Sequence, residues 1–162
     1  MMFPSKTAPR DAPKLSSIRI DETRLPLVLV TFSGVVTDEE FTAYLEEQTR
    51  IVCRREKRVV VIDAMRAGET RPTQRKQQAD WQRQHREALA LYSLGTSFAI
   101  DSAVIRGALT AILWVQPLPH PHFVATSLAD AERWAVAQLL AAGLPAPVAT
   151  PEAARPALRA AP

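Results

Sequence analysis

The feature that most constrains this chain is the run Val59-Val60-Val61-Ile62-Asp63, four consecutive β-branched residues closed by an acid. β-Branched side chains favour extended backbone. Four in succession leave no polar face for water, so the segment needs cover on both sides. That requirement predicts an interior strand of a mainly parallel sheet. Parallel neighbours need crossover connections, so strand-like runs must alternate with helical stretches.

The remaining sequence supplies that alternation. Ser17-Ile18-Arg19-Ile20 has the period of a half-buried strand, and Leu27 to Phe32 is a denser apolar run that tolerates Pro26 at its start. The short polar stretch Asp21 to Arg24 reads as the turn of an antiparallel hairpin. Gly34 ends the second strand, and Thr37-Asp38-Glu39-Glu40 has the spacing of a capping box. The helix it opens would bury Phe41, Tyr44, Leu45, Gln48 and Val52. Beyond the charged patch Arg54 to Arg58 and the central strand, Pro72 opens a long helix with the stripe Trp81, Ala88, Leu89 and Tyr92, and Gly95 as its stop. Thr96 to Ile100 is the next strand. Asp101 or Ser102 then caps a helix from Ala103 to Val115, which Pro117, Pro119 and Pro121 bring to an end. His122 to Ala125 is a short strand. Ser127-Leu128-Ala129-Asp130 opens the last helix, which runs to about Ala142 with Gly143 as its stop signal. The expected architecture is α/β: one mostly parallel sheet in ββαβαβαβα order, with an N-terminal antiparallel hairpin and helices packed on the sheet.

A chain of 162 residues with 47% hydrophobic and 23% charged residues is sized and balanced for one domain. Residues 15–143 are its expected extent. The flanks, 1–14 and 144–162, are rich in Pro and Ala and are expected to be disordered tails. The N-terminal stretch has no apolar core of the kind a signal peptide needs, and no apolar run reaches the roughly 20 residues of a membrane span. The single cysteine, Cys53, excludes an internal disulfide framework and suits a reducing compartment. The expectation is a soluble, cytoplasmic protein. Its net charge of +3 favours loose contact with anions. A nucleic-acid binder would want a broader basic patch and stacking aromatics on the sheet, so no nucleic-acid partner is expected.

Four stretches together resemble a known group. They are Val30-Thr31-Phe32-Ser33-Gly34 followed by the helix start at Thr37; Val59 to Asp63; Ser102 to Ile112; and Ser127 to Trp134. In these core patterns, spanning about residues 17–142, the chain resembles the SpoIIAA-like group, relatives of the STAS domains that include anti-sigma-factor antagonists. The resemblance implies a non-enzymatic module that regulates or scaffolds other proteins. In phospho-switched members, a serine at the start of the helix after the central strand is modified by a partner kinase. Here the segment from Asp63 to Thr73 has no Asp-Ser pair, and Thr70 and Thr73 are the nearest hydroxyls.

The chemistry-bearing residues divide readily. Asp63 ends a buried strand, where α/β sheets place ligands, but an acid there also caps the adjoining loop through its own side chain. No further acidic pair or lysine completes a phospho-acceptor set. Gly68 lies in nothing like a phosphate-binding loop. His120-Pro121-His122 offers two ligands where zinc needs three or four. Cys53 reads as a small buried hydrophobe, and Trp114 and Trp134 read as core. No catalytic residue, cofactor or metal is assigned. Arg71, Arg75, Lys76, Arg83 and Arg86 make the long helix basic, although Asp80 and Glu87 lighten that face. Trp81 stands among glutamines and would serve as a binding anchor if exposed. The expected partner surface is therefore the loop and helix after the central strand, about residues 64–86, with Arg66, Glu69, Thr70, Arg71, Arg75, Lys76 and Trp81 in contact with another protein. The rival reading is a small-ligand protein, for a lipid or nucleotide, since related sheets can enclose apolar pockets. Self-association through the edge strand Ser17–Ile20 is a further expectation.

Overall fold

The computed structural model describes residues 17–147. The N-terminal tail and most of the C-terminal one lie outside the described residues. Ten elements follow one another: β1 (Ile18–Arg24), β2 (Leu27–Gly34), α1 (Asp38–Cys53), β3 (Arg58–Ala67), α2 (Pro72–Gln84), α3 (Arg86–Tyr92), β4 (Ser93–Ala99), α4 (Ala103–Val115), β5 (His122–Ala125) and α5 (Leu128–Ala141). The five strands form one sheet in the order β1-β2-β3-β4-β5. The β1–β2 pair is antiparallel, with Ile18 opposite Phe32 and Ile20 opposite Val30, and every later pair is parallel. The α/β class, the hairpin and the central position of the Val59–Asp63 strand thus all stand as expected.

Strands β2 to β5 lie side by side in chain order, so each crossover advances by one strand. Crossovers of one hand then put their helices on one face of the sheet. Val28 and Val30 of β2 pack with Phe41, Tyr44 and Ile51 of α1 on that face, and Ile62, Ala64, Phe98 and Ile100 meet Ile105 and Leu109 of α4. The opposite face belongs to α5. There Leu27, Val59, Val61, Ala99 and Ala125 pack against Ala131, Ala135 and Leu139. Small residues on both sides let α5 lie close, and Ser97 Oγ, fully buried, donates to the Ala131 carbonyl oxygen at 2.8 Å.

The capping signals work as their spacing indicates. Thr37 accepts from Glu40 N at 3.2 Å while Glu40 accepts from Thr37 N at 2.9 Å, and Ser102 and Ser127 cap α4 and α5. Gly34 and Gly143 take positive φ where β2 and α5 end, a conformation that glycine enters without a Cβ clash.

Several boundaries differ from expectation, each for a tertiary reason. The stretch Asp21–Arg24 is strand, and the turn is confined to Leu25 and Pro26. Arg24 is held there by an ion pair to Glu132 of α5, at 2.7 Å. The segment Ala64–Ala67 belongs to β3 instead of the following loop, because Ser33 and Gly34 of β2 extend the ladder to Arg66 and Ala67. The register shifts there, Thr31 facing Asp63 but Ser33 facing Arg66, so β3 carries one extra residue. Asp63 Oδ1 accepts from Met65 N at 3.1 Å across that bulge. The long helix after Pro72 is two helices that break at His85. Gly95 does not stop a helix; it lies within β4, opposite Val59. A Cβ at Gly95 would stand 2.7 Å from the Trp134 ring, so the missing side chain makes room for that indole. Cys53 is exposed at the end of α1. Trp114, expected in the core, is 83% exposed on α4. Trp134 is half-buried and stacks on Phe123, with centroids 5.8 Å apart.

Candidate functional site

The faces of the sheet are unequally filled. Between the crossover helices and the sheet lies a cavity of about 400 Å³, within the range of about 300–1,000 Å³ typical of small-molecule sites. Its back wall is Val60, Ile62 and Ala64 of β3 with Thr96 and Phe98 of β4. Its sides are Phe41, Tyr44 and Gln48 of α1, Gln74, Trp81 and Gln82 of α2, and Leu89 of α3. Ile105, Ala108, Leu109, Ile112 and Leu113 of α4 roof it. The lining is mainly hydrocarbon, as the alternation of β3 requires once Val59 and Val61 turn to α5.

Helix α4 is an unusual roof. It is strongly apolar, yet none of its 13 residues is buried. Its inner residues face the cavity, while Val104, Trp114 and Val115 are exposed. Ser102 Oγ accepting from Ile105 N at 3.4 Å and Arg106 Nη2 donating to the Ile100 carbonyl at 3.1 Å anchor its first turn.

The cavity is polarised along the strands. Its exposed lining residues, Gly34, Glu69, Thr70 and Val104, all stand at the carboxyl end of the sheet, which therefore holds the mouth. At the opposite end, where β3 and β4 begin, Arg58 and Ser93 are register partners and both are buried. Gln48 is also buried; it is adjacent in sequence to Thr49, whose hydroxyl accepts from Trp81 Nε1 at 2.9 Å, and Gln82 follows Trp81. His120 completes this floor. Burial holds its imidazole below the ordinary value, with the His122 and Arg58 charges adding to the effect against a hydrogen bond to the Pro121 carbonyl. Burial, reinforced by the Arg54 charge and opposed by the Glu56 and Glu22 carboxylates, likewise lowers the proton affinity of Arg58.

Four buried side-chain atoms among the described residues have no hydrogen-bond partner: Gln48 Nε2, Arg58 Nε, Gln82 Oε1 and Ser93 Oγ. All four belong to residues that line this cavity. Arg58 Nη1 donates to the Glu56 carbonyl at 3.1 Å, but no carboxylate among the described residues reaches ion-pairing distance of its guanidinium. Buried polar groups are ordinarily satisfied, and a buried charge without a counter-charge is expensive. Their concentration at one pole of an apolar cavity makes that pole the chemically distinctive point of the fold.

The residues expected to form a partner surface divide between rim and wall. Arg66, Glu69, Thr70, Arg71, Thr73 and Lys76 are exposed, and Arg75 is half-buried. Arg71 pairs with Asp38 at 3.3 Å, Arg75 Nη1 donates to the Thr70 carbonyl at 2.7 Å, and Lys76 and Arg83 share Asp80. Trp81 is not an exposed anchor. It is half-buried in the cavity wall, because its indole N–H is taken up by Thr49 of α1. Its polar neighbours also mislead: Gln74 is buried and its Nε2 donates to the Val36 carbonyl at 3.0 Å and to Asp38 Oδ1 at 2.9 Å, tying α2 to the start of α1. Gln48 is buried on α1 as the sequence predicts, but nothing in the sequence gathers Gln48, Arg58, Gln82 and Ser93 at one site. A signal was nonetheless present, since Arg58 is two residues before Val60 and four before Ile62 and so shares their face.

No group of three His, Cys, Asp or Glu side chains among the described residues could hold a metal ion, and no described helix is long and apolar enough to cross a membrane. No family model, curated protein or solved structure gives a significant match to this chain.

Proposed function

We propose that the protein binds a small, predominantly apolar ligand in the cavity between the sheet and helices α1 to α4. The observation that carries this reading is the unequal filling of the sheet. One face packs α5 against the sheet through fully buried Ala131, Ala135 and Leu139, whereas the other keeps about 400 Å³ under an apolar helix that buries none of its own residues. Ordinary interiors are close-packed, with few voids larger than a water molecule. A lipid-like body suits this lining better than a nucleotide, whose phosphates and base would call for more polar groups than the one buried pole offers.

The test is direct. Purified full chain, stripped of hydrophobic contaminants, is titrated with decanol while tryptophan fluorescence is followed, since Trp81 lines the cavity. Saturable binding, matched by a one-to-one complex in native mass spectrometry and abolished by Ala108→Trp, is the expected result. Absence of saturable binding would remove the reading.

A second reading keeps the protein-interaction role. Arg66, Glu69, Thr70 and Arg71 are exposed beside the mouth, and Glu69 and Thr70 also belong to the cavity lining. A partner docking on this rim would touch the part of the protein nearest the ligand's entrance, as a STAS-like regulatory module would require. Capture of a partner by the wild type that persists unchanged with Arg71→Glu and Lys76→Glu together would refute that surface.

A further inference from the structure

The polar floor narrows the ligand further, and this step rests on the cavity reading above. We propose that the ligand is a hydrophobic monocarboxylate, its carboxylate seated against Arg58, Gln48 and Ser93 and its apolar body extending along Val60, Ile62 and Phe98 toward the mouth.

Three observations converge on that head group. Arg58 is only 3% exposed and has its Nε unpartnered, with no counter-charge within ion-pairing distance among the described residues. The Glu56 and Glu22 carboxylates act on it only from beyond that distance, so a bound anion would supply the direct counter-charge it lacks. Ser93, the register partner of Arg58, has a buried and unpartnered hydroxyl, and Gln48 adds a buried, unpartnered amide nitrogen to the same cavity lining; both can donate. Gln82 presents an unpartnered carbonyl oxygen, and turning its amide over presents two further donors instead. Finally, the floor holds one guanidinium, and desolvation disfavours the charged form of the half-buried His120 imidazole near it. One buried guanidinium suits a single negative charge better than a phosphate dianion.

The geometry of the guanidinium favours a carboxylate in particular. Nη1 is engaged by the Glu56 carbonyl, which orients the group and leaves its Nε edge unengaged. A guanidinium edge meets the two oxygens of a carboxylate with parallel hydrogen bonds, which are stronger than neutral ones and fixed in direction. The surrounding hydrocarbon strengthens that attraction, since the local dielectric is low. Head-first entry also follows from the polarity of the cavity. The floor lies at the amino ends of β3 and β4, and the exposed lining lies at their carboxyl ends.

The experiment compares three probes of one chain length on the stripped full chain at mildly alkaline pH: decanoate, decanol and decyltrimethylammonium, by isothermal titration calorimetry. Decanoate is expected to bind at least about tenfold more tightly than decanol, a difference of about 1.4 kcal/mol, with the cation weakest. In Arg58→Met the decanoate advantage is expected to vanish. Methionine fills similar space, and replacing a buried charge by an apolar side chain is often well tolerated. If that variant fails to fold, Gln48→Leu and Ser93→Ala provide the same comparison, each lowering decanoate affinity more than decanol affinity. Equal binding of decanoate and decanol by the wild type would overturn the carboxylate assignment and leave the apolar-ligand reading standing. A preference for the cation would also overturn the assignment. Binding of none of the three would overturn both.

Discussion

The two faces of the sheet solve the same problem in opposite ways. Under α5, alanines at Ala99, Ala125, Ala131 and Ala135 let helix and strands come close, and Gly95 gives up its side chain to the Trp134 ring. On the other face the side chains are larger, Ile62, Phe98 and Ile100 among them, yet α4 above them buries none of its own residues. Bulk alone does not close a core. Closure needs a helix whose apolar stripe reaches the sheet, and α4 spends much of its apolar surface on solvent, at Val104, Trp114 and Val115. The contrast is one of closeness: α5 lies against the sheet through small residues, while the opposite face combines a packed end under α1 with a cavity under α4.

That contrast can be broken by substitution. Leu139 is fully buried beneath the sheet, and Leu139→Ala is expected to lower unfolding free energy by about 2–5 kcal/mol in urea titrations. Leu113→Ala on α4 removes a comparable side chain from a half-buried position facing the cavity, and is expected to lose less than about 1 kcal/mol. Equal losses would erase the distinction between the faces.

Enlargement sharpens it from the other side. Ala135→Leu forces extra volume into a closed interface and is expected to cost about 1–3 kcal/mol. Ala108→Leu places the same volume in the cavity, where it is expected to be neutral or to gain up to about 1 kcal/mol in thermal unfolding, while weakening decanol binding. A destabilising Ala108→Leu would mean that the roof already packs as tightly as α5 does. The smallest effect is expected at the rim. Arg71→Glu removes an exposed pair with Asp38 and should change stability by no more than about 1 kcal/mol in the same urea assay.

Much of the architecture was legible because local chemistry dictated it. The β-branched run at Val59 could only be a doubly covered strand, and Thr37 with Glu40 or Ser127 with Asp130 could hardly mark anything but helix starts. Two misreadings share one cause: partners far away in sequence. Gly95 had the look of a helix stop because its reason for being glycine is Trp134, and Asp21 to Arg24 had the look of a turn because Glu132 holds Arg24 from α5. The site was less legible still. Trp114 passed for core on an apolar helix, since periodicity reports which face is apolar and not whether anything covers it. Arg58 closed a run of surface charges from Arg54 onward, and its burial depends on the β3 register that places it beside Ser93. A cavity is a distance between elements, and no local pattern encodes that distance.

The lateness of α5 has a consequence for the making of the molecule. During synthesis the chain emerges from its amino end, so β1 to β4 and the first crossover helices are available before the segment that covers Val59 and Val61. Until Ala131, Ala135 and Leu139 have left the ribosome, the nascent sheet shows an uncovered apolar surface, the condition under which partly made domains associate wrongly. A chain interrupted before residue 128 would lack Ala131, Ala135 and Leu139 and so leave Val59 and Val61 without their cover.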